Sequence, residues 1–126
     1  MLDGRRVLVV AHDGGSGRAI AESLMLVKAE ILGPYTVAGT PEAIADPDLR
    51  GLSAAVIEMS RVDDGVSALL ARLTAERIPL VICAPPGLLP EFRGQHPDIS
   101  VLPLPTLPLR ILGEVSVLIE RRGGFI

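Results

Sequence analysis

Ala54-Ala55-Val56-Ile57-Glu58-Met59 is a short apolar run that closes on a carboxylate. A run with no polar residue until its end cannot present one face to water. It therefore reads as a strand buried on both faces at the centre of a sheet. A carboxylate at its C-terminal tip stands where open α/β sheets gather their functional groups. What that carboxylate can do depends on the residues that neighbouring strand tips bring beside it.

Working outward, Val7-Leu8-Val9-Val10-Ala11 is a second buried strand, led in by Arg5-Arg6. The loop His12-Asp13-Gly14-Gly15-Ser16-Gly17 follows it. Ile20, Leu24, Val27 and Ile31 recur at helical spacing, which predicts a first helix from about Gly17 to Leu32, stopped by Gly33-Pro34. Tyr35 to Ala38 reads as a short strand. Thr40-Pro41-Glu42 has the form of a helix start, and Pro47 limits that second helix. Leu52 to Met59 is the central strand. A third helix is predicted from Gly65 to Arg77, with Val66, Leu69, Leu70 and Leu73 on its apolar face. Ile78 to Ala84 is a buried strand, with Pro79 tolerated at its start. Pro85 to Gly94 carries three prolines and two glycines, so at most one distorted helical turn is expected there. Ser100 to Leu104 is the last strand. Thr106 to Arg121 is the last helix, with Thr106 as its N-cap and Pro108 in its first turn.

Strict alternation of strand and helix implies parallel strands with right-handed crossovers. The expected fold is α/β: a flavodoxin-like three-layer sandwich whose five-stranded parallel sheet has the order 2-1-3-4-5, with helix four degenerate. The 126 residues fit a single domain, residues 1–126, with its core at about 4–121. Apolar residues are 48 % and aromatics only 2 %, so the core must be aliphatic. A net charge of -3 gives no electrostatic footprint for nucleic acid or an anionic membrane. The single cysteine, Cys83, rules out an internal disulfide and reads as a buried structural thiol. No signal peptide is evident, and no apolar run reaches the roughly 18 residues of a spanning helix. The expected setting is cytoplasmic.

The register of all five strands resembles the receiver domains of bacterial response regulators in two-component signalling. It is carried by Gly4 to Val10 opening the first strand, Leu32-Gly33-Pro34 ending helix one, and Ala54 to Ile57 in the third strand. Ile78 to Val81 in the fourth strand and Val101-Leu102-Pro103-Leu104-Pro105 in the fifth also fit. The resemblance is to stand-alone receivers with a degenerate helix four. It implies phosphoryl transfer from a histidine kinase to an aspartate at the tip of the third strand. That chemistry needs a carboxylate nucleophile, a Mg²⁺ held by acids at the first strand tip, and a hydroxyl and a lysine that read the phosphate.

Carried across, each of these positions departs from the pattern. The acceptor position falls on Glu58. The acidic pair falls on Ala11 and His12, with Asp13 one position beyond. The hydroxyl position falls on Ala84, the lysine on Leu104 before Pro105, and the aromatic switch position on Val101. Ala11 has no ligand oxygen, His12 is a poor Mg²⁺ ligand, and Leu104 cannot neutralise a phosphate. The resemblance thus implies a pseudo-receiver: a phosphorelay signalling module without phosphoacceptor chemistry. It would not be an enzyme and would need no cofactor or metal. Its partner would be a histidine kinase, a phosphotransfer protein, another regulator or a second copy in a homodimer.

Other features admit competing readings. Glu58 is either a permanent mimic of the phosphorylated state or a tolerated acid at a strand tip. His12 beside Glu58 forms either a pH-sensing contact or a solvated tip. Gly14 to Gly17 lacks the Lys-Ser/Thr of a phosphate loop, and a turn with an N-cap fits it better. In the last helix Ile111, Val115 and Leu118 form one stripe. Leu112, Val117 and Ile119 add apolar area, as do Leu88, Leu89 and Phe92 upstream, and this excess suggests an interface. A second functional reading is a small-ligand sensor in a strand-tip crevice lined by Ala11, Ala84 and Leu104. A third is an atypical receiver phosphorylated at Asp13 or Glu58.

Overall fold

The central strands form because the aliphatic runs Val7–Ala11, Ala54–Ile57 and Leu80–Ala84 can bury both faces only inside a sheet covered on both sides. The structure, a computed structural model, describes residues 2–36, 46–62, 64–92 and 99–123. In chain order these form β1 (Arg6–Ala11), α1 (Gly14–Met25), β2 (Glu30–Thr36), α2 (Asp46–Arg50), β3 (Ala54–Glu58) and α3 (Asp64–Ala75). There follow β4 (Leu80–Ala84), a 3-10 turn (Pro86–Leu88), α4 (Leu89–Phe92), β5 (Ile99–Pro103) and α5 (Pro108–Gly123). The sheet order is β2-β1-β3-β4-β5 and every pairing is parallel. This is the flavodoxin-like α/β architecture expected from the alternation of elements.

Two apolar clusters lie on opposite faces of the sheet. On one, Leu8, Val10, Ala55, Ile57, Leu80 and Ile82 meet Val66, Leu69 and Leu73 of α3, Leu49 of α2, and Leu89 and Phe92. On the other, Val7, Val9, Ala54, Val56, Val81 and Cys83 meet Ile20 and Leu24 of α1 and Ile111, Val115, Leu118 and Ile119 of α5. The two lists alternate along each strand, as a period of two requires. Each fully buried Val, Leu or Ile contributes about 1.5–3 kcal/mol of transfer free energy.

Several boundaries depart from expectation. The first helix ends at Met25, not Leu32. Lys28 takes a left-handed φ of 71°, and the Ala29 N–H donates to the Leu24 carbonyl, closing the helix in the manner of a Schellman turn. Ile31 and Leu32 then alternate sides of β2, one toward each cluster. Val27 and Ile31 fall on helical spacing by coincidence, since Ile31 fits the strand period equally well. Gly33-Pro34 therefore sits inside β2 and stops no helix. Between Leu8↔Leu32 and Val10↔Tyr35, β2 carries one residue more than β1, which is a bulge. Gly33, at φ 106°, allows it: a Cβ there would lie 2.8 Å from the Val9 carbonyl oxygen. Pro34, lacking an N–H, is accommodated because β2 is an edge strand.

Pro47 is the second residue of α2 and lies inside that helix. The predicted helix start at Thr40-Pro41-Glu42 and the end of the predicted strand at Val37-Ala38 lie outside the described residues. The irregular stretch after β4 is a 3-10 turn leading into a four-residue helix, as the prolines required. Thr106 does not cap α5. Its hydroxyl donates to the Pro103 carbonyl, and the first helical acceptor is the Leu107 carbonyl, which receives the Arg110 and Ile111 N–H groups.

The expected apolar excess near α5 is largely core. Leu89, Phe92 and Ile119 are buried, and Leu88 and Leu112 are half-buried against the two clusters. Leu88, Leu89 and Phe92 pack on the α3 face of the sheet, and Leu112 and Ile119 on the α1 face. Of the six residues named for an interface only Val117 is exposed. It continues a stripe with Leu109 and Gly113 at helical spacing. No helix among the described residues is long and apolar enough to cross a membrane.

Candidate functional site

The C-terminal edge of the sheet gathers Ala11, Glu58, Cys83-Ala84 and Pro103-Leu104 because β1, β3, β4 and β5 lie side by side in register. Glu58 pairs with Cys83 across β3 and β4. The Met59 N–H donates to the Cys83 carbonyl, and the Leu104 N–H to the Ala84 carbonyl, at 2.9 Å each. Backbone pairing thus continues to the strand ends and fixes where each side chain leaves the sheet.

Glu58 is the one buried charged residue among the described residues, at 5 % exposure. His12, at the tip of β1, brings Nδ1 to 2.7 Å from Glu58 Oε1 and Nε2 to 2.9 Å from Asp13 Oδ2. The imidazole therefore bridges a buried carboxylate and an exposed one. Its approach to Glu58 is close but poorly directed, so the buried Oε1 accepts no hydrogen bond from the protein. This is a close contact without the geometry of a good hydrogen bond.

Asp13 has a structural task. Its Oδ1 accepts the Ser16 N–H at 2.8 Å and so caps α1. That backbone hydrogen bond, reinforced by neighbouring His12, holds the Asp13 carboxyl below the usual carboxylate range. The Gly14 to Gly17 run is the first turn of α1. Gly17 lets that turn settle on the sheet, since a Cβ there would lie 3.0 Å from Pro34 Cβ and 3.4 Å from Ala11 Cβ. The turn with an N-cap is the correct description of this segment.

The other positions named from the sequence divide. Ala11 is fully buried beneath α1. Ala84 is fully buried in the opposite cluster, with α3 and α4. Val101 is half-buried against that same cluster. Leu104 alone of these reaches the crevice over Glu58, and the Leu104-Pro105 peptide is cis. The crevice has a volume of about 360 Å³ and is lined by His12, Ser16, Glu58, Pro85, Pro86, Leu104, Pro105 and Thr106. Its walls are thus not Ala11 and Ala84, because the strand period turns both methyls into the packed layers. Ser16, Thr106 and the Pro85-Pro86 pair were not anticipated as walls. The proline run after β4 was the one available signal.

Cys83 is fully buried. Burial first, and the adjacent Glu58 charge second, push its thiol up to about 12, with a Thr106 hydrogen bond opposing them. No group of three or more His, Cys, Asp or Glu among the described residues is placed to hold a metal ion.

No family model and no curated protein matches the sequence. In three dimensions the chain is similar to a response regulator receiver protein from Sinorhizobium medicae. The TM-score is 0.75 at 15 % identity, over 97 % of this chain and 99 % of that one. It is also similar to the pilus assembly protein CpaE from Caulobacter crescentus, with a TM-score of 0.63 at 16 % identity, over 93 % and 95 % of the two chains. At such identities the likeness carries the fold: the chain has the architecture of a response-regulator receiver.

Proposed function

We propose that this chain is a receiver-like signalling module that acts by binding another protein and does not take up phosphate. The receiver fold supports a signalling role. The observation that carries the finer reading is the surroundings of Glu58. Its carboxylate is buried, the His12 imidazole stands 2.7 Å away, and the Leu104 side chain offers neither charge nor hydrogen bond. Phosphoryl transfer to a carboxylate needs an accessible nucleophile, oxygen ligands for Mg²⁺ and a cation for the product. The crevice walls over Glu58 supply no Lys or Arg, and Ala11 and Ala84 at the strand ends carry no ligand oxygen or hydroxyl. As a binding module the chain catalyses no reaction of its own.

The exposed stripe Leu109, Gly113 and Val117 on α5 is the surface this reading offers to a histidine kinase, a phosphotransfer protein, another regulator or a second copy. Incubation with acetyl phosphate and Mg²⁺ should give no species heavier by about 80 Da, the mass of a phosphoryl group. A stable adduct on Glu58 or Asp13, seen by mass spectrometry, would overturn the proposal.

A second reading has its own observation. The crevice over Glu58 combines a carboxylate, an imidazole and two hydroxyls with apolar walls, the mixture expected of a small-ligand site. A rise in melting temperature with a crevice ligand would support this sensor role.

A further inference from the structure

We infer that the crevice over Glu58 takes a small organic cation: an ammonium group on a compact apolar body. This rests on the ligand-site reading of that crevice. Three observations select the ligand class.

The first is the incompletely satisfied carboxylate. Glu58 lines the crevice and is buried, and its Oε1, though 2.7 Å from His12 Nδ1, accepts no well-directed hydrogen bond from the protein. A buried carboxylate in this state carries a desolvation cost that an N–H donor reaching it from the crevice offsets. An ammonium does so with charge assistance, the stronger form of that bond.

The second is the balance of charge. The crevice walls contain no Lys or Arg. His12 is shared between Glu58 and Asp13, so even a protonated imidazole leaves one negative charge of the three groups uncompensated. An anionic ligand would meet Glu58 directly. A neutral apolar ligand would offer the Glu58 carboxylate no charge and no donor.

The third is the shape and texture of the walls. Pro85, Pro86, Leu104 and Pro105 present apolar surface, with the Thr106 and Ser16 hydroxyls as further polar contacts. About 360 Å³ suits a molecule of a few carbon atoms, near the lower end of small-molecule sites. A bare Mg²⁺ is a poor fit, because it demands several oxygens at short range and the crevice sets an imidazole beside its one carboxylate.

The test is an NMR titration of the full chain with three probes of matched size: n-butylammonium chloride, n-butanol and sodium butyrate. The ammonium should give saturable shifts centred on His12, Glu58 and Thr106, and the other two should not. Glu58→Gln should weaken ammonium binding roughly tenfold or more, as loss of a charge-assisted hydrogen bond implies. Leu104→Trp, which fills the crevice and keeps the carboxylate, should block binding, so the inference remains testable if the Gln variant folds poorly. Butanol or butyrate binding as tightly at the same residues would defeat the cation and leave the ligand site standing. Absence of saturable shifts with all three probes would defeat both. Unchanged ammonium affinity in Glu58→Gln would show that the carboxylate is not the anchor.

Discussion

β3 is buried along its whole length, whereas β2, two places away in the same sheet, is exposed or half-exposed at all seven of its residues. β3 has a strand on each side and helices above and below, so only small or aliphatic side chains fit its first four positions. β2 has a neighbour on one side only. It tolerates Gly33-Pro34, a one-residue bulge against β1 and an unpaired edge. The difference teaches where this molecule can hold an unusual group. At the edge, irregularity is relieved by solvent. At the centre, Glu58 has no such relief and depends on the partner brought to it, His12.

The largest expected effect contrasts the two strands directly. Ile57→Ala should destabilise the protein by about 2–5 kcal/mol, through lost transfer energy and the cavity left behind. Leu32→Ala, at a half-buried position of β2, should cost about 1–2 kcal/mol. Urea unfolding measures both, and equal losses would mean that β2 is as much a core strand as β3.

A smaller effect probes the bulge. Gly33→Ala places a Cβ within 3 Å of Val9 and Tyr35 atoms at a φ of 106°, and should cost about 1–3 kcal/mol. Gly113→Ala serves as the matched control. Its Cβ would enter open space in a helix, so it should stabilise by about 0.5–1 kcal/mol. A neutral Gly33→Ala would show that the β2 edge relaxes freely.

The smallest effect is confined to alkaline pH and returns to the centre. The Cys83 thiol is held near 12 in the fold, against an ordinary value of 9.0. The unfolded chain therefore ionises first, and stability should fall as pH rises from the ordinary value toward the folded one. The slope of unfolding free energy against pH should be shallower in Cys83→Ala. Iodoacetamide should label the native thiol far more slowly than the urea-unfolded chain, because only the thiolate reacts and the group is buried. Rapid native labelling would place Cys83 outside the core.

The central strands were legible because their signal is local. Val7 to Ala11, Ala54 to Ile57 and Leu80 to Ala84 admit one reading at any register, since both faces are apolar. The order of the sheet followed from alternation and the handedness of crossovers. The helix ends were less legible. Ile31 satisfies a helical period and the contacts of β2 alike, and the choice was made by the left-handed Lys28 and by pairing with Arg6 to Leu8. Thr106 looked like a cap from composition, but its hydroxyl turned back to the Pro103 carbonyl. In the candidate site, the neighbourhood of Glu58 and His12 could be inferred from strand order. The walls of the crevice could not, because they come from loop residues whose directions depend on how the chain leaves β4 and β5.

By itself the sequence determined the five-stranded parallel sheet and the carboxylate at the tip of β3. These follow from residue identity and period, which act over a few neighbours. Only the tertiary structure decided that Ala11 and Ala84 face packed layers, that Asp13 caps α1, and that the apolar residues of α4 and most of those of α5 are core. It also decided that Glu58 keeps one oxygen buried and without a hydrogen bond. Side-chain direction and burial depend on what lies across the sheet, and that is set by contacts between residues far apart in the chain.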